Sequence, residues 1–137
     1  MPRLTIEQYF AGYPGDSGIT QQMRDNAGVL LGLVNPLLDD AASAGFELPI
    51  NPKTGSLVSG EHDGGWRPQN CPIGAPGSAH KQSMAVDIYD PDGDLDDWLD
   101  DSALSNYGLF REAPESTRSW CHLTSRSPHS GKRTFQP

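Results

Sequence analysis

The strongest pattern along the chain is a stripe of apolar side chains within residues 20–45. Apolar residues recur there at steps of three and four, which places them on one face of an α-helix. They are Met23, Ala27, Leu30, Val34, Leu37, Leu38 and Ala41. Thr20 can cap the N-terminus of this helix, Gly45 follows its C-terminus, and Pro36 should kink it or divide it in two. The pattern predicts a core helix that carries no chemistry.

The second half of the chain has the pattern of short strands joined by loops. In residues 84–89 apolar side chains alternate with a set that includes Asp87, as in a half-buried strand. Further expected elements are short strands near 56–59, 109–112 and 119–124, one helix at 94–102, and a basic, loop-like tail at 130–135. We therefore predict an α+β fold in a single domain, residues 1–137. Its helical part, 1–45, packs on a small antiparallel sheet within the loop-rich part, 46–137.

Composition narrows the classes of function. The chain carries 10 basic and 18 acidic side chains, so its formal charge is −8, and 35% of its residues are hydrophobic. A chain this acidic does not hold a phosphate backbone by charge, so no nucleic-acid partner is expected. No apolar run approaches the roughly 20 residues that span a bilayer, so no membrane insertion is expected. The N-terminus lacks a signal-peptide pattern, which predicts synthesis in the cytoplasm. Cys71 and Cys121 are then expected to be free thiols.

A run of eight aspartates between residues 87 and 101 invites a calcium-site interpretation. Asp90, Asp92 and Asp94 match the first three ligand positions of an EF-hand loop. The sixth position, which requires glycine, holds Leu95, and the twelfth holds Asp101 in place of glutamate. The run is therefore interpreted as a turn that leads into an Asp-capped helix.

The histidines give a stronger indication of chemistry. His80 precedes Asp87 by seven residues, and His122 lies in another strand-like segment. Two histidines and a carboxylate suffice for a catalytic Zn²⁺ whose fourth position is left to water. A metal would also explain the aspartate in the alternating strand, because burying an unpaired carboxylate is costly. Spacing alone leaves two structural histidines as the alternative. His62 and Asp63 are assigned to a solvated Gly-rich loop, with a place in the lining of the cleft as the alternative, and His129 is assigned to the surface.

Three ordered motifs resemble a known family. The segment Ser78-Ala79-His80-Lys81-Gln82-Ser83-Met84-Ala85-Val86-Asp87 resembles the Ser-x-His-x-x-Gly-x-Ala-x-Asp signature of the zinc D-alanyl-D-alanine carboxypeptidase superfamily. That superfamily includes vancomycin-resistance dipeptidases, phage L-alanyl-D-glutamate endolysins and the hedgehog signalling domain. Gly65-Trp66-Arg67-Pro68 resembles its upstream Ser-Gly-aromatic-Arg motif, and Trp120-Cys121-His122 its closing Trp-x-His. The motifs agree in order and spacing over residues 57–124, and the tail 130–137 resembles short phage and prophage members.

The resemblance implies a role for each matching residue. His80, Asp87 and His122 would be the ligands of a mononuclear zinc site. Arg67 would hold a substrate carboxylate or carbonyl and stabilise the oxyanion. Ser78 would hydrogen-bond the substrate.

Two positions depart from the family pattern. Ser83 stands where the signature has glycine, a change expected to be tolerated. The family's catalytic acid often lies three residues before the last histidine, and Ser119 occupies that position. Glu112 resembles the glutamate of the short phage relatives and is predicted as the general base, with an ordinary surface carboxylate as the alternative. Glu115 is expected to be exposed, and Cys121 to point away from the metal.

The resemblance implies zinc-dependent hydrolysis of a peptide bond in the peptidoglycan stem, of carboxypeptidase or endopeptidase type. The expected setting is a phage or prophage lysis or cell-entry protein. It would reach the cell wall after holin release or as part of a virion, where other virion proteins would be its partners. The alternative is a non-catalytic tail or baseplate module that retains the fold, and the missing acid at Ser119 favours it.

Overall fold

The α-helices of the described residues lie in the N-terminal third of the chain and between its first two strands. The computed structural model describes residues 3–137. Within them lie the α-helices α1 (Ile6–Phe10), α2 (Gln21–Ser43), α3 (Asp94–Trp98) and α4 (Asp101–Tyr107) and two 3-10 helices, Ala79–Gln82 and Pro114–Ser116. The strands of the same range are β1 (Ala85–Tyr89), β2 (Phe110–Glu112), β3 (Trp120–Thr124) and β4 (Thr134–Phe135). The predicted α+β class is confirmed.

The sheet is mixed rather than purely antiparallel. Its strand order is β1-β3-β2-β4, with β1 and β2 antiparallel to the central β3 and β4 parallel to β2. The backbone N–H groups of Arg111 and Ala113 donate to the carbonyls of Arg133 and Phe135, both at 2.8 Å. The prediction of a loop for the tail, residues 130–135, was wrong. The exposed edge of β2 needs partners for its backbone groups, and β4 in the tail provides them.

Helix α2 follows the predicted stripe closely. The side chain of Thr20 accepts a hydrogen bond from the backbone N–H of Met23 at 3.1 Å and caps its N-terminus. Pro36 lies inside the helix but does not divide it, contrary to one of the two expected outcomes. Leu37, Leu38 and Ala41 are fully buried beyond Pro36, and their burial outweighs the one backbone hydrogen bond that proline removes.

A short helix near the N-terminus has no counterpart in the predicted elements. Thr5 and Gln8 form a capping box at the start of α1, in which each side chain bonds the other's backbone N–H. The helix buries Tyr9 and Phe10, and the Tyr9 hydroxyl donates to the backbone carbonyl of Ala85 at 2.8 Å. These contacts attach the N-terminus to β1.

The acidic run contains two helices where one was predicted. Leu99 is extended and buried between α3 and α4, and the side chain of Asp100 accepts from the N–H of Ala103 to start the second helix. Both carboxylate oxygens of Asp90 accept backbone N–H groups, from Leu95 and Asp96, at 3.0 Å each. The capping interpretation of this run is therefore confirmed.

The loop-rich part between residues 46 and 78 is anchored to the same core as α2. Trp66 is buried, whereas Ile73 is half exposed. The expected strand at 56–59 is reduced to isolated bridges, Asn51 to Ser56 and Val58 to Ile88. One hydrophobic cluster joins side chains of α1, α2, this segment and the sheet. Among residues 3–137, no helix combines the length and apolar character needed to cross a membrane.

Candidate metal centre

Three side chains from three elements meet around one carboxylate oxygen. Asp87 on β1 and His122 on β3 are directly opposite in the antiparallel register, so their side chains share a face of the sheet. His122 Nδ1 lies 2.8 Å from Asp87 Oδ1. His80, from the 3-10 helix before β1, places its Nε2 at 3.3 Å from the same oxygen. The possible ligand atoms of the three residues all lie within 4.8 Å of one another.

The orientation of His80 is fixed by its surroundings. Ser78 Oγ caps the 3-10 helix by accepting from the backbone N–H of His80 at 3.3 Å. His80 Nδ1 lies 2.8 Å from the carbonyl oxygen of Gly65. Because a carbonyl can only accept, Nδ1 carries a proton, and Nε2 is the nitrogen that faces Asp87 and is available to a metal ion. Gly65 is required here, since a Cβ at this position would lie 2.1 Å from the backbone oxygen of Tyr9.

Arg67 supports the carboxylate from its other side. Its Nη2 lies 3.5 Å from Asp87 Oδ2, and its Nε donates to the backbone carbonyl of Asp63 at 2.7 Å. The Asp63 side chain in turn accepts from the hydroxyl of Tyr13 and from Cys71 Sγ, the latter at 3.6 Å. The predicted site residue Arg67 is therefore close to the cluster, but its guanidinium is held by Asp63 and Asp87.

The electrostatics of the cluster keep Asp87 ionised. Burial alone would raise the pKa of this carboxyl, but the nearby charge and hydrogen bonds of His80 and His122 hold it well below its usual range. Burial lowers the pKa of His122, and its hydrogen bond to Asp87, together with the charges of Asp87 and Glu112, more than reverses that effect. Asp87 thus stays an anion within a buried site.

The donor set fits a zinc ion. His80 Nε2 faces an ionised carboxylate oxygen at 3.3 Å, and either a proton or a metal cation between these two atoms stabilises that arrangement. Zn²⁺ binds imidazole nitrogen and carboxylate oxygen at about 2.0–2.2 Å in tetrahedral geometry, which places neighbouring ligand atoms roughly 3.4 Å apart. The His80–Asp87 distance matches this value, and the His122–Asp87 distance of 2.8 Å is shorter.

The cluster borders a large cavity on one side. His122 lines this cavity, about 670 Å³ in volume, together with the predicted site residues Ser78 and Glu112. Arg67 and Asp87 instead line a separate cavity of about 290 Å³. Of the six predicted site residues, the structure thus gathers His80, Asp87, His122 and Arg67 in one cluster and places Ser78 and Glu112 in the adjoining cavity.

The two glutamates near the site differ in position. Glu112 on β2 is partly buried, lines the large cavity, and its charge acts on His122. Glu115 is exposed, as predicted, and accepts a hydrogen bond from Gln136 at 3.2 Å. Ser119 is exposed just before β3. Cys121 is buried and hydrogen-bonds Asp96, so it points away from His122, and within residues 3–137 both cysteines are free thiols.

Three contributors were not identified from the sequence. The carbonyl of Gly65 is a backbone atom, which residue type does not reveal. Asp63, assigned to a solvated loop, is bonded to Tyr13 and positions Arg67. Arg126 lines the large cavity. Its signal was available, because it follows His122 by an even number of residues, as a side chain on the same face of an extended chain does.

The geometry of these side chains is therefore the only structural support for a metal centre here. The motif resemblance adds an expectation about the chemistry of the site, without a detected similarity of the whole chain to a known protein. Comparisons of this chain with protein-family models, with curated proteins and with solved structures gave no match.

Proposed function

We propose that this protein is a zinc-dependent peptidase that hydrolyses a peptide bond of the peptidoglycan stem. The observation that carries the proposal is the shared Asp87 oxygen, which faces a nitrogen of His80 and one of His122 beside an open cavity. A volume of about 670 Å³ is in the range of ligand sites, roughly 300–1,000 Å³. The motifs around His80, Arg67 and His122 supply the substrate class, through their resemblance to the zinc D-alanyl-D-alanine carboxypeptidase superfamily.

The chain's own residues divide the work of hydrolysis. His80, Asp87 and His122 would hold Zn²⁺, which when bound supplies an activated water and a Lewis acid for the scissile carbonyl. Glu112 accepts the proton of the attacking water on its carboxylate and passes it to the leaving amine. Arg67 positions Asp87 through its contact with Oδ2. It is also proposed to stabilise the oxyanion that forms on the scissile carbonyl.

The proposed setting follows from the substrate. A peptidoglycan peptidase of phage or prophage origin acts on the cell wall either after release by a holin or as a component of the virion. Other virion proteins are then its proposed partners in the second case. Neither setting requires a nucleic-acid or membrane-inserted partner.

A zymogram on purified cell walls tests the proposal. The protein, reconstituted with one equivalent of Zn²⁺, is expected to clear the wall, and clearing is expected to vanish with EDTA and to return with added zinc. A His80→Ala variant should not clear the wall. Clearing that survives both EDTA and His80→Ala would overturn the zinc-peptidase proposal. Mass spectrometry of the released fragments then identifies the bond that is cut.

A second candidate is a non-catalytic tail or baseplate module with the same fold. The observation that favours it is the exposed Ser119 at the position where the family often has its acid. This candidate predicts stoichiometric zinc binding and no clearing of cell walls at any zinc concentration. Zinc content by mass spectrometry, measured on the sample used for the zymogram, distinguishes the two candidates.

A further inference from the structure

The large cavity is lined by an arginine, Arg126, whose charge has no ion-pair partner among residues 3–137. Arg126 lies two residues beyond β3, and together with His122 and Thr124 it lines the cavity. Its Nη1 donates to the backbone carbonyl of Gly77 and to Gln82 Oε1, both at 2.7 Å. Both acceptors are neutral, so they orient the guanidinium without neutralising it. Within residues 3–137, Arg126 has no carboxylate at ion-pair distance, and its Nε and Nη2 make no hydrogen bond.

Arg67, the other arginine near the cluster, differs in each of these respects. It is only 12% exposed, it contacts Asp87 and Asp63, and it lines a different cavity. A Cβ on Gly74, whose φ is +88°, would lie 3.0 Å from Arg67 Nη1, so the loop at Gly74 packs closely against this guanidinium. Arg67 is therefore held at the cluster, where its proposed role is at the oxyanion, and Arg126 is the arginine available to a substrate carboxylate in the large cavity.

The rest of the cavity lining is suited to an amphipathic ligand. Apolar surface comes from Ala75, Ala79, Pro128 and Phe135, while Glu112 and His122 form the side nearest the cluster. Arg126 and His122 line the same cavity, so a ligand that contacts the cluster from this cavity shares it with the guanidinium of Arg126. Arginine binds carboxylates through two parallel hydrogen bonds, and its unused Nε and Nη2 form such a pair of donors.

We infer that Arg126 is a specificity-determining residue, which binds a carboxylate of the substrate while the peptide bond lies near the His80–Asp87–His122 cluster. The inference rests on the proposed peptidase function and names a residue that the motif resemblance does not. Two carboxylates of a stem peptide have the required chemistry. One is the terminal carboxylate, and the other is the α-carboxylate of a D-glutamate linked through its side chain.

The test uses the full chain, reconstituted with zinc, and three synthetic stem peptides. One peptide has both carboxylates, one is amidated at its C-terminus, and one is amidated at the D-glutamate α-carboxylate. We measure kcat/KM for each peptide, and in parallel the binding of the same peptides to the His80→Ala variant by calorimetry. The carboxylate that Arg126 binds is the one whose amidation lowers kcat/KM, by about 10- to 100-fold, the range of hydrogen bonds between charged groups.

Variants assign that loss to Arg126. Arg126→Gln should lower kcat/KM about 10- to 100-fold on the peptide with both carboxylates and leave unchanged the rate on the amide that wild type cleaves poorly. Arg126→Lys should recover part of the loss because it keeps the charge. Arg118→Gln removes an exposed arginine outside the cavity and should change neither rate. Amidation experiments on the wild-type chain need no variant and hold even if Arg126→Gln unfolds.

The outcomes distinguish failure of the role inferred for Arg126 from failure of the proposed peptidase function. Hydrolysis that is insensitive to both amidations, or an equal loss on acid and amide in Arg126→Gln, overturns the role of Arg126 and leaves the peptidase proposal intact. If the wild-type chain cleaves none of the peptides, calorimetry decides. A peptide affinity that depends on the carboxylate and is lost in the His80→Ala/Arg126→Gln double variant supports the role of Arg126 but not the peptidase proposal. Absence of both hydrolysis and binding overturns the two together.

Discussion

Strand β3 sends consecutive side chains to two different buried polar clusters, and β2 sends one side chain to one of these clusters and the next to the large cavity. On β3, His122 belongs to the metal cluster (Arg67, His80, Asp87 and His122), and Cys121 belongs to an Asp96 cluster (Asp96, Arg111, Thr117 and Cys121). On β2, Arg111 contacts Asp96 while Glu112 faces the large cavity. Alternation along a strand puts the two clusters on opposite faces of one sheet.

Each cluster is built on a buried aspartate near an arginine, yet the two carboxyls behave oppositely. Burial raises the pKa of Asp96, and the hydrogen bond from Cys121 and the charge of Arg111 offset only part of that rise. The pKa of Asp87 is lowered, because two imidazoles outweigh its burial. A buried aspartate beside an arginine therefore does not by itself indicate a metal site. What distinguishes the metal cluster is the pair of histidine nitrogens that share one oxygen.

The largest expected effect is the difference in zinc affinity between a variant of Asp87 and a variant of Asp96. Asp87→Asn should lower zinc affinity by more than the 10- to 100-fold typical of losing an outer-shell partner, and should abolish hydrolysis. Asp96→Asn should bind zinc as wild type does, because none of its contacts reaches His80 or His122. Competition with a chromophoric chelator measures both affinities. Equal zinc affinity in the two variants would contradict the distinction between the clusters.

The next largest effect distinguishes the two glutamates near the site, Glu112 in β2 and Glu115 after it. Glu112→Gln should reduce kcat by about 10²- to 10⁴-fold with zinc content unchanged, as expected for removal of a general base. The matched control is Glu115→Gln, in which an exposed carboxylate is lost three residues away and hydrolysis should stay at the wild-type rate. A Glu112→Gln variant that keeps both its zinc and its full rate would remove the assignment.

A smaller effect concerns the stability contributed by the Asp96 cluster. Arg111 Nη1 donates to the backbone carbonyl of Asp96 at 2.6 Å and lies 3.4 Å from its carboxylate. Asp96→Ala leaves this buried guanidinium without its counterion and should lower the free energy of unfolding by about 3 kcal/mol. Urea denaturation of the zinc-free protein gives the value. Asp97→Ala, at an exposed position of the same helix, should change it by less than about 0.5 kcal/mol.

Much of this architecture follows from residue periodicity. The steps of three and four between Met23 and Ala41 fix the buried face of α2, and alternation in residues 84–89 places Asp87 on β1. Helix α2 buries one continuous face, whereas β1 is buried on both faces, with Val86 and Ile88 on one and Asp87 on the other. The position of His80 near Asp87 came from the motif resemblance, since spacing alone left two structural histidines as the alternative.

Other features depend on partners that are distant in the chain. The tail becomes β4 only because β2 offers it an unpaired edge, and the helix predicted at 94–102 breaks because Leu99 is buried and Asp100 caps a new helix. The proton position on His80 depends on the carbonyl of Gly65. A backbone atom and a tertiary edge leave no trace in residue type, so no pattern of the sequence predicts them.

The smallest expected effect lies in the turn between His80 and Asp87, two of the three candidate metal ligands. Ser83 stands between His80 and Asp87, and within residues 3–137 it is the only non-glycine residue with a positive φ, +58°. Its buried hydroxyl has no hydrogen-bond partner. Ser83→Gly should therefore raise the free energy of unfolding by about 1 kcal/mol, because glycine adopts this conformation without the Cβ clash. Ser83→Ala keeps the Cβ and should not show this gain. If the alanine variant is stabilised as much as the glycine variant, the buried hydroxyl rather than the backbone is the source of strain between His80 and Asp87.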